Sequence, residues 1–296
     1  MKRAAALCLA VLLVLSVTAC SPKQEEQGNH QNRENQQNTQ QSKDLIDPAG
    51  TTLETRISTP EGYHRTETKA GSFTEFLRKY ELKEDGSPVL LYDGSKKGVQ
   101  DAHAAVFKLP IENADLQQCA DSIMRVYAEY LYGSGQAEKI AFHFTNGFLA
   151  EYSKWREGYR IQVSGNDVSY IKSASYDDSY DCFKKYLRMV FSYAGTLSMA
   201  NESAPAKLSE LKPGDIFIKG GSPGHVVMVA DVCVDAEGKK AFLLAQGYMP
   251  AQEFHVIRNP RHEEDPWYYE QEVVYPFETA QWTFTEGSFR SLPYLE

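Results

Sequence analysis

The stretch that decides the fold begins with LKPGDIFI at Leu211–Ile218 and runs through GGSPG at Gly220–Gly224 to HVVMV at His225–Val229. Two apolar segments joined by a glycine-rich turn are typical of paired antiparallel strands. A further apolar segment, Ala241–Gln246, follows the turn DAEG at 235–238. The pattern therefore predicts an antiparallel meander in this part of the chain.

A helix is predicted immediately before the meander. Its apolar residues recur at helical spacing and are Phe183, Tyr186, Leu187, Val190 and Phe191. We expect this helix, which begins near Asp178, to pack against the sheet, because its apolar stripe has to be buried. A helix packed on an antiparallel sheet, over about residues 178–260, indicates the α+β class.

The preceding part of the chain predicts an N-terminal α+β extension. Thr51–Ser58 alternates as a strand does, and Ser72 begins a capping box that opens a short helix. Asp115 is predicted to open a longer helix, with Cys119 in its first turns. We expect residues 49–296 to form a single globular domain, because their number suffices for one substantial core.

The N-terminus has the pattern of an export signal. Two basic residues precede the apolar run Ala4–Val17, which is too short to span a bilayer comfortably. The run ends in VTAC at 17–20, which resembles the lipobox of bacterial lipoproteins and implies a signal peptide at 1–19 and a lipid on Cys20. An ordinary signal peptide of the same length is the alternative. Lipidation implies an exported protein anchored to the cell envelope, at the outer face of the cytoplasmic membrane or at the outer membrane.

The composition changes after the lipobox. Gln and Asn fill half of the positions from 21 to 42. Because such a segment cannot bury a core, we predict that residues 21–48 form a disordered tether. The whole chain carries a formal charge of −9, which argues against nucleic acid as a partner.

Three cysteines follow Cys20, and an exported chain usually buries or uses its thiols. They are Cys119, Cys182 and Cys233. An odd number leaves at least one thiol unpaired if the other two form a disulfide. The cysteines show no zinc-site spacing, and the histidines at 143, 255 and 262 have no metal-ligand spacing. We therefore predict no metal and no cofactor.

The meander resembles the core of NlpC-type cell-wall cysteine peptidases and their papain-like relatives. The resemblance rests on LKPGD at 211–215, on the glycine-rich turn and on the histidine that opens the next strand. It implies that His225 is the general base, that a cysteine opening an upstream helix is the nucleophile, and that a polar residue on the following strand orients the histidine. Cys182 and Gln246 take these two positions. A thiol needs a base within hydrogen-bond reach, and the base needs an orienting partner.

The nucleophile has alternatives. Bulky Phe183 follows Cys182, and neighbouring aspartates raise the pKa of a thiol, so Cys182 also fits a small buried helix residue. Cys119 heads a helix and is the second-choice nucleophile, with simple packing as its alternative. His225 is alternatively a histidine packed at a strand edge.

Candidate binding residues lie beside this predicted site. They are Gly221, Ser222, Gly224 and Tyr248. Glycines in the turn would let a substrate backbone approach closely. The aromatic run PWYY at 266–269, with Tyr248 and Trp282, is compatible with a sugar-binding platform, and core packing is its alternative.

Over its whole length the chain resembles a family of bacterial lipoproteins and exported proteins described as domain of unknown function 4846. The segments that carry this resemblance include LQQCAD at 116–121, YAGTLS at 193–198, and residues 220–225 and 245–252. The resemblance implies export and a papain-like core, and its pattern includes Cys119. It implies no activity.

Two functions are consistent with these patterns. The first is an envelope lipoprotein, attached to a membrane through the lipid on Cys20, whose papain-like domain is a cysteine peptidase or amidase acting on peptidoglycan or another cell-wall peptide. The second is a non-catalytic lipoprotein that binds cell wall or another ligand with a degenerate peptidase-like fold. The positions of the Cys182 and Cys119 sulfurs relative to the His225 ring distinguish them.

Overall fold

The structure is a computed structural model that describes residues 44–295. The predicted signal peptide, Cys20 and the tether up to residue 43 lie outside the described residues. Within 44–295, no helix is both long enough and apolar enough to cross a membrane.

The described residues form short helices and many strands. The helices are α1 Leu53–Arg56, α2 Phe73–Arg78, α3 Cys119–Gly133, α4 Tyr152–Arg156, α5 Tyr180–Tyr193 and α6 Thr196–Glu202. The strands are β1 His64–Arg65, β2 His103–Val106, β3 Ala141–His143, β4 Leu149–Glu151, β5 Tyr159–Ser164, β6 Asp167–Lys172, β7 Ala204–Pro205, β8 Ile216–Lys219, β9 His225–Val234, β10 Lys240–Gln246, β11 His255–Ile257, β12 Tyr268–Tyr269, β13 Phe277–Glu278, β14 Thr283–Phe284 and β15 Phe289–Ser291.

One antiparallel sheet organises the domain. Its strand order is β2-β11-β10-β9-β8-β15-β7, with β1 paired to β9 and β12 paired to β10. The predicted meander is β8, β9 and β10, which pair in sequence order. The α+β class is therefore confirmed.

Both faces of the central strands are buried, which explains why their sequences are apolar without interruption. Val226 and Met228 of β9 face the larger core, which the helices complete. Val227 and Val229 face a second core, which is closed by Phe277 and other residues of the C-terminal segment. Because side chains alternate along a strand, β9 separates two apolar layers.

The longest helix that packs on the sheet is α3, and the prediction that the helix near Asp178 does so is wrong. Helices α2 and α3 contact β9, and α6 contacts β8, whereas α5 packs on α3 and α4. Every residue of α3 from Cys119 to Ala128 is buried. A helix buried on all sides lies between two layers. The single apolar stripe of α5 then suffices to cover the outer side of α3, where Phe183 stacks on Tyr132 at 4.6 Å.

Two local predictions at the N-terminal boundary are corrected. Thr51–Ser58 contains α1 rather than a strand, because Thr52 and Thr55 form a capping box. The last residues assigned to the tether belong to the domain, since Ile46 pairs with Ile57 and Leu45 packs against the core. The ordered part of the domain therefore begins before residue 49.

A buried carboxylate ties the N-terminal segments to β9. Asp231 is fully buried and accepts hydrogen bonds from Arg65 Nε at 2.6 Å and from Arg78 Nε at 2.7 Å. Arg65 lies in β1 and Arg78 at the end of α2. One side chain of the sheet thus holds two separate segments, and each guanidinium depends on it for charge compensation.

We predict that Asp231→Asn lowers the free energy of unfolding by about 3–5 kcal/mol, because it leaves the buried guanidinium of Arg78 without its carboxylate. Urea denaturation of the purified chain measures this loss. Glu75→Gln is the control, because it removes an ion pair to Lys79 at the solvent-exposed surface, and it should change the stability little. Equal effects of the two variants would contradict the assignment.

Candidate functional site

The site is centred on His225, at the start of β9. Its ring is nearly buried, and Nε2 lies 2.8 Å from Oε1 of Gln246, the last residue of β10. Because β9 and β10 are adjacent and antiparallel, the start of one strand and the end of the next meet at the same edge of the sheet. The structure therefore brings together the predicted base and its predicted orienting residue.

Aromatic rings enclose the imidazole. The ring centroids of Tyr248 and Trp282 lie 4.6 Å and 5.2 Å from that of His225, and Phe284 lies at 6.3 Å. Burial among these rings lowers the pKa of His225 to about 4, although the hydrogen bond to Gln246 acts in the opposite direction. His225 is therefore neutral at pH 7.

The protonated nitrogen of His225 follows from the hydrogen bonds of Gln246. Nε2 of Gln246 donates to Oε1 of Gln281 at 2.8 Å, which turns Oε1 of Gln246 toward His225. An amide oxygen only accepts, so Nε2 of His225 must carry the proton. In a neutral imidazole the other nitrogen, Nδ1, then has a lone pair and is the basic atom.

The structure brings Cys119 into the same cavity as this histidine. Cys119 is the first residue of α3, and the backbone N–H of Val226, the residue after His225, acts to lower the pKa of its thiol. Sequence periodicity places Cys119 inside the first turns of a helix that starts at Asp115. Instead Asp115 precedes the helix, and its Oδ1 accepts hydrogen bonds from Ala251 N at 2.7 Å and Gln118 Nε2 at 3.0 Å. These bonds tie the loop after β10 to the start of α3.

Gly247 makes this approach possible. A Cβ at this position would lie 2.2 Å from Ser122 Oγ and 2.8 Å from the carbonyl oxygen of Gln118. Both atoms belong to the start of α3. Only a residue without a side chain therefore lets the first turn of α3 pack against the end of β10, which brings Cys119 to the cavity that His225 lines.

The thiol of Cys119 is protonated at neutral pH. Burial raises its pKa to about 11, and the charge of Asp121 acts in the same direction. Backbone N–H groups at the helix start oppose this shift without overcoming it. Burial also raises the pKa of Asp121 to about 8, and its Oδ1 has no hydrogen-bond partner among the described residues. The pair at rest is thus a neutral thiol and a neutral imidazole.

Cys119 and His225 line one cavity of about 710 Å³. The predicted binding residues Gly221, Ser222, Gly224 and Tyr248 line it too, as do Thr196, Leu197, Met249 and Trp282. The acidic residues of its wall are Asp115 and Asp121, and within the described part of the chain no lysine or arginine contributes to the wall. The cavity is therefore apolar, aromatic and weakly acidic.

The glycine-rich turn is shaped mainly by its own packing. A Cβ on Gly224 would lie 2.2 Å from the carbonyl oxygen of Gly221 and 2.4 Å from Thr196 Oγ1. Thr196 also donates to the carbonyl of Gly221 at 3.1 Å, which fastens the turn to α6. Of the proposed aromatic platform, Tyr248 and Trp282 line the cavity, whereas Trp267 and Tyr268 are buried in the core.

The structure does not bring Cys182 to the site, which corrects its assignment as first-choice nucleophile. Its side chain is buried in the main core and does not line the cavity. Burial, together with the charge of Asp177, raises the pKa of its thiol, and His225 does not contribute to that shift. The reason is that α5 lies on the outer side of α3, away from the sheet. Cys233 is likewise a buried free thiol in the core.

Sequence patterns did not single out Gln281 or Asp121 for the site. Gln281 lies 35 residues beyond Gln246, in the irregular C-terminal segment, and no motif surrounds it. Asp121 is a capping residue whose Oδ2 accepts from Gln118 N at 3.1 Å, so its sequence position indicates only a helix start.

Comparison with known proteins gives one match. The model of the family described as Domain of unknown function (4846) matches residues 53–291. No curated protein and no solved structure matches the chain.

We predict that Cys119 reacts with iodoacetamide faster than Cys182 and Cys233, because it alone of these three lines the cavity. Its labelling rate should rise about tenfold per pH unit between pH 7 and pH 9, since a thiol with a raised pKa gains thiolate steadily over this range. Peptide mass spectrometry of the native chain measures the three rates. Faster labelling of Cys182, or a plateau below pH 8, would show that the cavity geometry or the pKa direction is wrong.

Proposed function

We propose that this chain, which belongs to the family described as Domain of unknown function (4846), is an envelope lipoprotein that hydrolyses amide bonds in cell-wall peptides. Cys119 is the nucleophile, His225 the general base and Gln246 the residue that orients it. The observation that carries the proposal is that the thiol and an imidazole with a defined basic nitrogen line the same cavity.

The chemistry follows from the protonation states. Nδ1 of His225 takes the proton from Cys119 Sγ as the sulfur forms a bond to the carbonyl carbon of the substrate. The C–N bond then breaks, and the proton passes from Nδ1 to the leaving amine. Water, deprotonated by Nδ1, releases the acyl group from the sulfur and regenerates the thiol. Because both groups start neutral, proton transfer accompanies attack instead of preceding it.

The resemblance to NlpC-type peptidases supports a papain-like core. It implies a nucleophile that opens a helix, a histidine that opens a strand and a polar residue on the next strand, in that chain order. Cys119, His225 and Gln246 satisfy this order. Ala120 provides the small residue that the family has after its cysteine, which Phe183 after Cys182 does not. Gln118 departs from the aspartate that typically precedes the nucleophile.

The cavity wall supports a neutral or cationic substrate around the bond that is cut. Its acidic residues are Asp115 and the largely protonated Asp121, and within the described residues no lysine or arginine lines it, so the wall offers no cation to bind a negatively charged group. The aromatic rings of Tyr248 and Trp282 offer flat apolar contact. Peptides with free amino groups, such as those of peptidoglycan, fit these conditions.

The lipobox supports the envelope location. The residues VTAC at 17–20 follow an apolar run of signal-peptide length, and Cys20 is the acceptor that lipidation requires. Residues 21–43, rich in Gln and Asn, would give the domain reach from the membrane surface.

A binding function without catalysis is the second candidate. The observation that favours it is that the pKa of Cys119 is raised to about 11 while that of His225 is lowered to about 4. At rest, Cys119 and His225 are therefore a neutral thiol and a neutral imidazole. Catalytic cysteines usually have a lowered pKa and are present as thiolates, so this resting state favours binding without catalysis. In this case the cavity would hold the same peptides without cutting them.

We predict that wild-type protein cleaves purified muropeptides and that Cys119→Ala and His225→Ala each lower kcat by roughly 10²–10⁴-fold, because each removes the nucleophile or the base. Cys182→Ala is the matched control and should keep near wild-type activity. Chromatography of the products with an assay for new amino groups measures turnover.

Two results would reverse this assignment. Loss of turnover in Cys182→Ala with retention in Cys119→Ala would restore Cys182 as the nucleophile. If wild type binds muropeptides by calorimetry but shows no turnover, and Trp282→Ala weakens that binding, the binding function replaces the catalytic one.

We predict that Cys20→Ala abolishes lipid attachment, because no other side chain at the lipobox can form the thioether. The protein should then leave the membrane fraction, and mass spectrometry of the isolated N-terminal peptide should show no diacylglycerol. Cys8→Ala, in the apolar run before the lipobox, is the control and should leave lipidation intact. A lipidated Cys20→Ala protein would refute the lipobox assignment.

A further inference from the structure

A buried lysine stands at the far end of the hydrogen-bond chain that reaches His225. Lys97 is 7% exposed, and its Nζ donates to Oε1 of Gln281 at 2.5 Å. The same oxygen receives the amide N–H of Gln246 at 2.8 Å, and Oε1 of Gln246 receives Nε2–H of His225 at 2.8 Å. Four side chains from four separate segments thus form one continuous series of hydrogen bonds, from Lys97 to His225.

The direction of every bond in this chain follows from Lys97. An ammonium group has three donors and no acceptor, so it turns the oxygen of Gln281 toward itself. That oxygen can only accept from Gln246, which must then present its NH₂ group. Gln246 consequently presents its oxygen to His225, and Nε2 of His225 must be protonated. Because Lys97 donates at the start of this series, Nδ1 of His225 is the nitrogen that carries no proton.

A second histidine supports the same direction. Nδ1 of His255 lies 2.8 Å from the carbonyl oxygen of Glu253, which requires a proton on Nδ1. Nε2 of His255 is then an acceptor, and it lies 3.4 Å from Nζ of Lys97 and 3.4 Å from Nε2 of Gln246. These longer contacts are weaker, but they also favour the orientation of Gln246 in which its NH₂ group faces His255 and Gln281.

The backbone around Lys97 holds it in place. Its N–H donates to the carbonyl of Val89 at 3.0 Å, and its carbonyl accepts from Nε2 of Gln100 at 2.8 Å. Gln100 also accepts from the N–H of Val89 at 3.0 Å. A loop closed by these bonds can keep an ammonium group at a buried position, where burying a lysine is otherwise unfavourable.

We propose that Lys97 is a positioning residue of the site, which sets the tautomer of His225 through Gln281 and Gln246. The inference rests on the proposed function for its catalytic meaning, but the tautomer itself is a property of the folded chain. Removing Lys97 frees the amide of Gln281 to rotate, then that of Gln246, and Nδ1 of His225 can then carry the proton and lose its role as base.

The test is the ¹⁵N NMR spectrum of the imidazole rings in the full chain labelled with [¹⁵N]histidine. In the wild type at pH 7 we expect His225 as the Nε2–H tautomer, with Nδ1 unprotonated. In Lys97→Met we expect a mixture of both tautomers. Gln281→Leu interrupts the same series of hydrogen bonds at a half-buried residue. If Lys97→Met does not fold, the tautomer mixture is therefore expected in Gln281→Leu instead.

Two further variants make the test specific. Gln281→Glu keeps an acceptor toward Lys97 and Gln246, so it should retain the Nε2–H tautomer. Lys240→Met removes a half-buried lysine at the opposite end of β10, away from the hydrogen-bond chain, and should also leave the tautomer unchanged. An unchanged tautomer in both Lys97→Met and Gln281→Leu would overturn the proposal.

Kinetics separate this proposal from the proposed function. If the chain hydrolyses muropeptides, Lys97→Met should lower kcat roughly ten- to a hundredfold, less than the loss of the base itself costs, with KM nearly unchanged. If no variant shows turnover but the tautomer shifts as expected, the positioning role of Lys97 holds and the catalytic function fails.

Discussion

The burial of β9 and β10 on both faces is the constraint on which the rest of this structure depends. A sheet with two apolar faces needs a layer on each side. The helices supply one layer, and the irregular C-terminal segment supplies the other. Each layer carries part of the site, because α3 brings Cys119 and the C-terminal segment brings Gln281 and Trp282. The site lies where both layers reach the same edge of the sheet.

Hydrogen-bond direction, rather than charge, organises the chemistry at that edge. The thiol and the imidazole are both buried, and burial disfavours the charged form of each. A neutral imidazole has two tautomers, and only its partners decide between them. In this protein the deciding partners of His225 are two glutamines in series, Gln246 and Gln281. The donor at the end of the series is the ammonium group of Lys97, which also contacts His255.

Much of the fold was predictable from local patterns. The strands β8, β9 and β10 follow from uninterrupted apolar runs and their turns, and Ser72 caps a helix as its sequence pattern predicts. The pairing of His225 with Gln246 was also within reach of the sequence, since adjacent antiparallel strands place the start of one beside the end of the next. Thr51–Ser58 was predicted wrongly because a capping box at Thr52 outweighed its strand-like alternation.

The sequence by itself determined the class of the fold, the strands that carry His225 and Gln246, and the presence of two amphipathic helices each containing a cysteine. Tertiary structure alone decided which cysteine lines the cavity of the histidine. Periodicity shows that a helix has an apolar face but does not show what covers it, so α3 and α5 could not be ranked as partners of the sheet. The close approach at Gly247 and the contacts of Lys97 and Gln281 join residues far apart in the chain. Such contacts depend on how the layers stack, and no local pattern of residues records that.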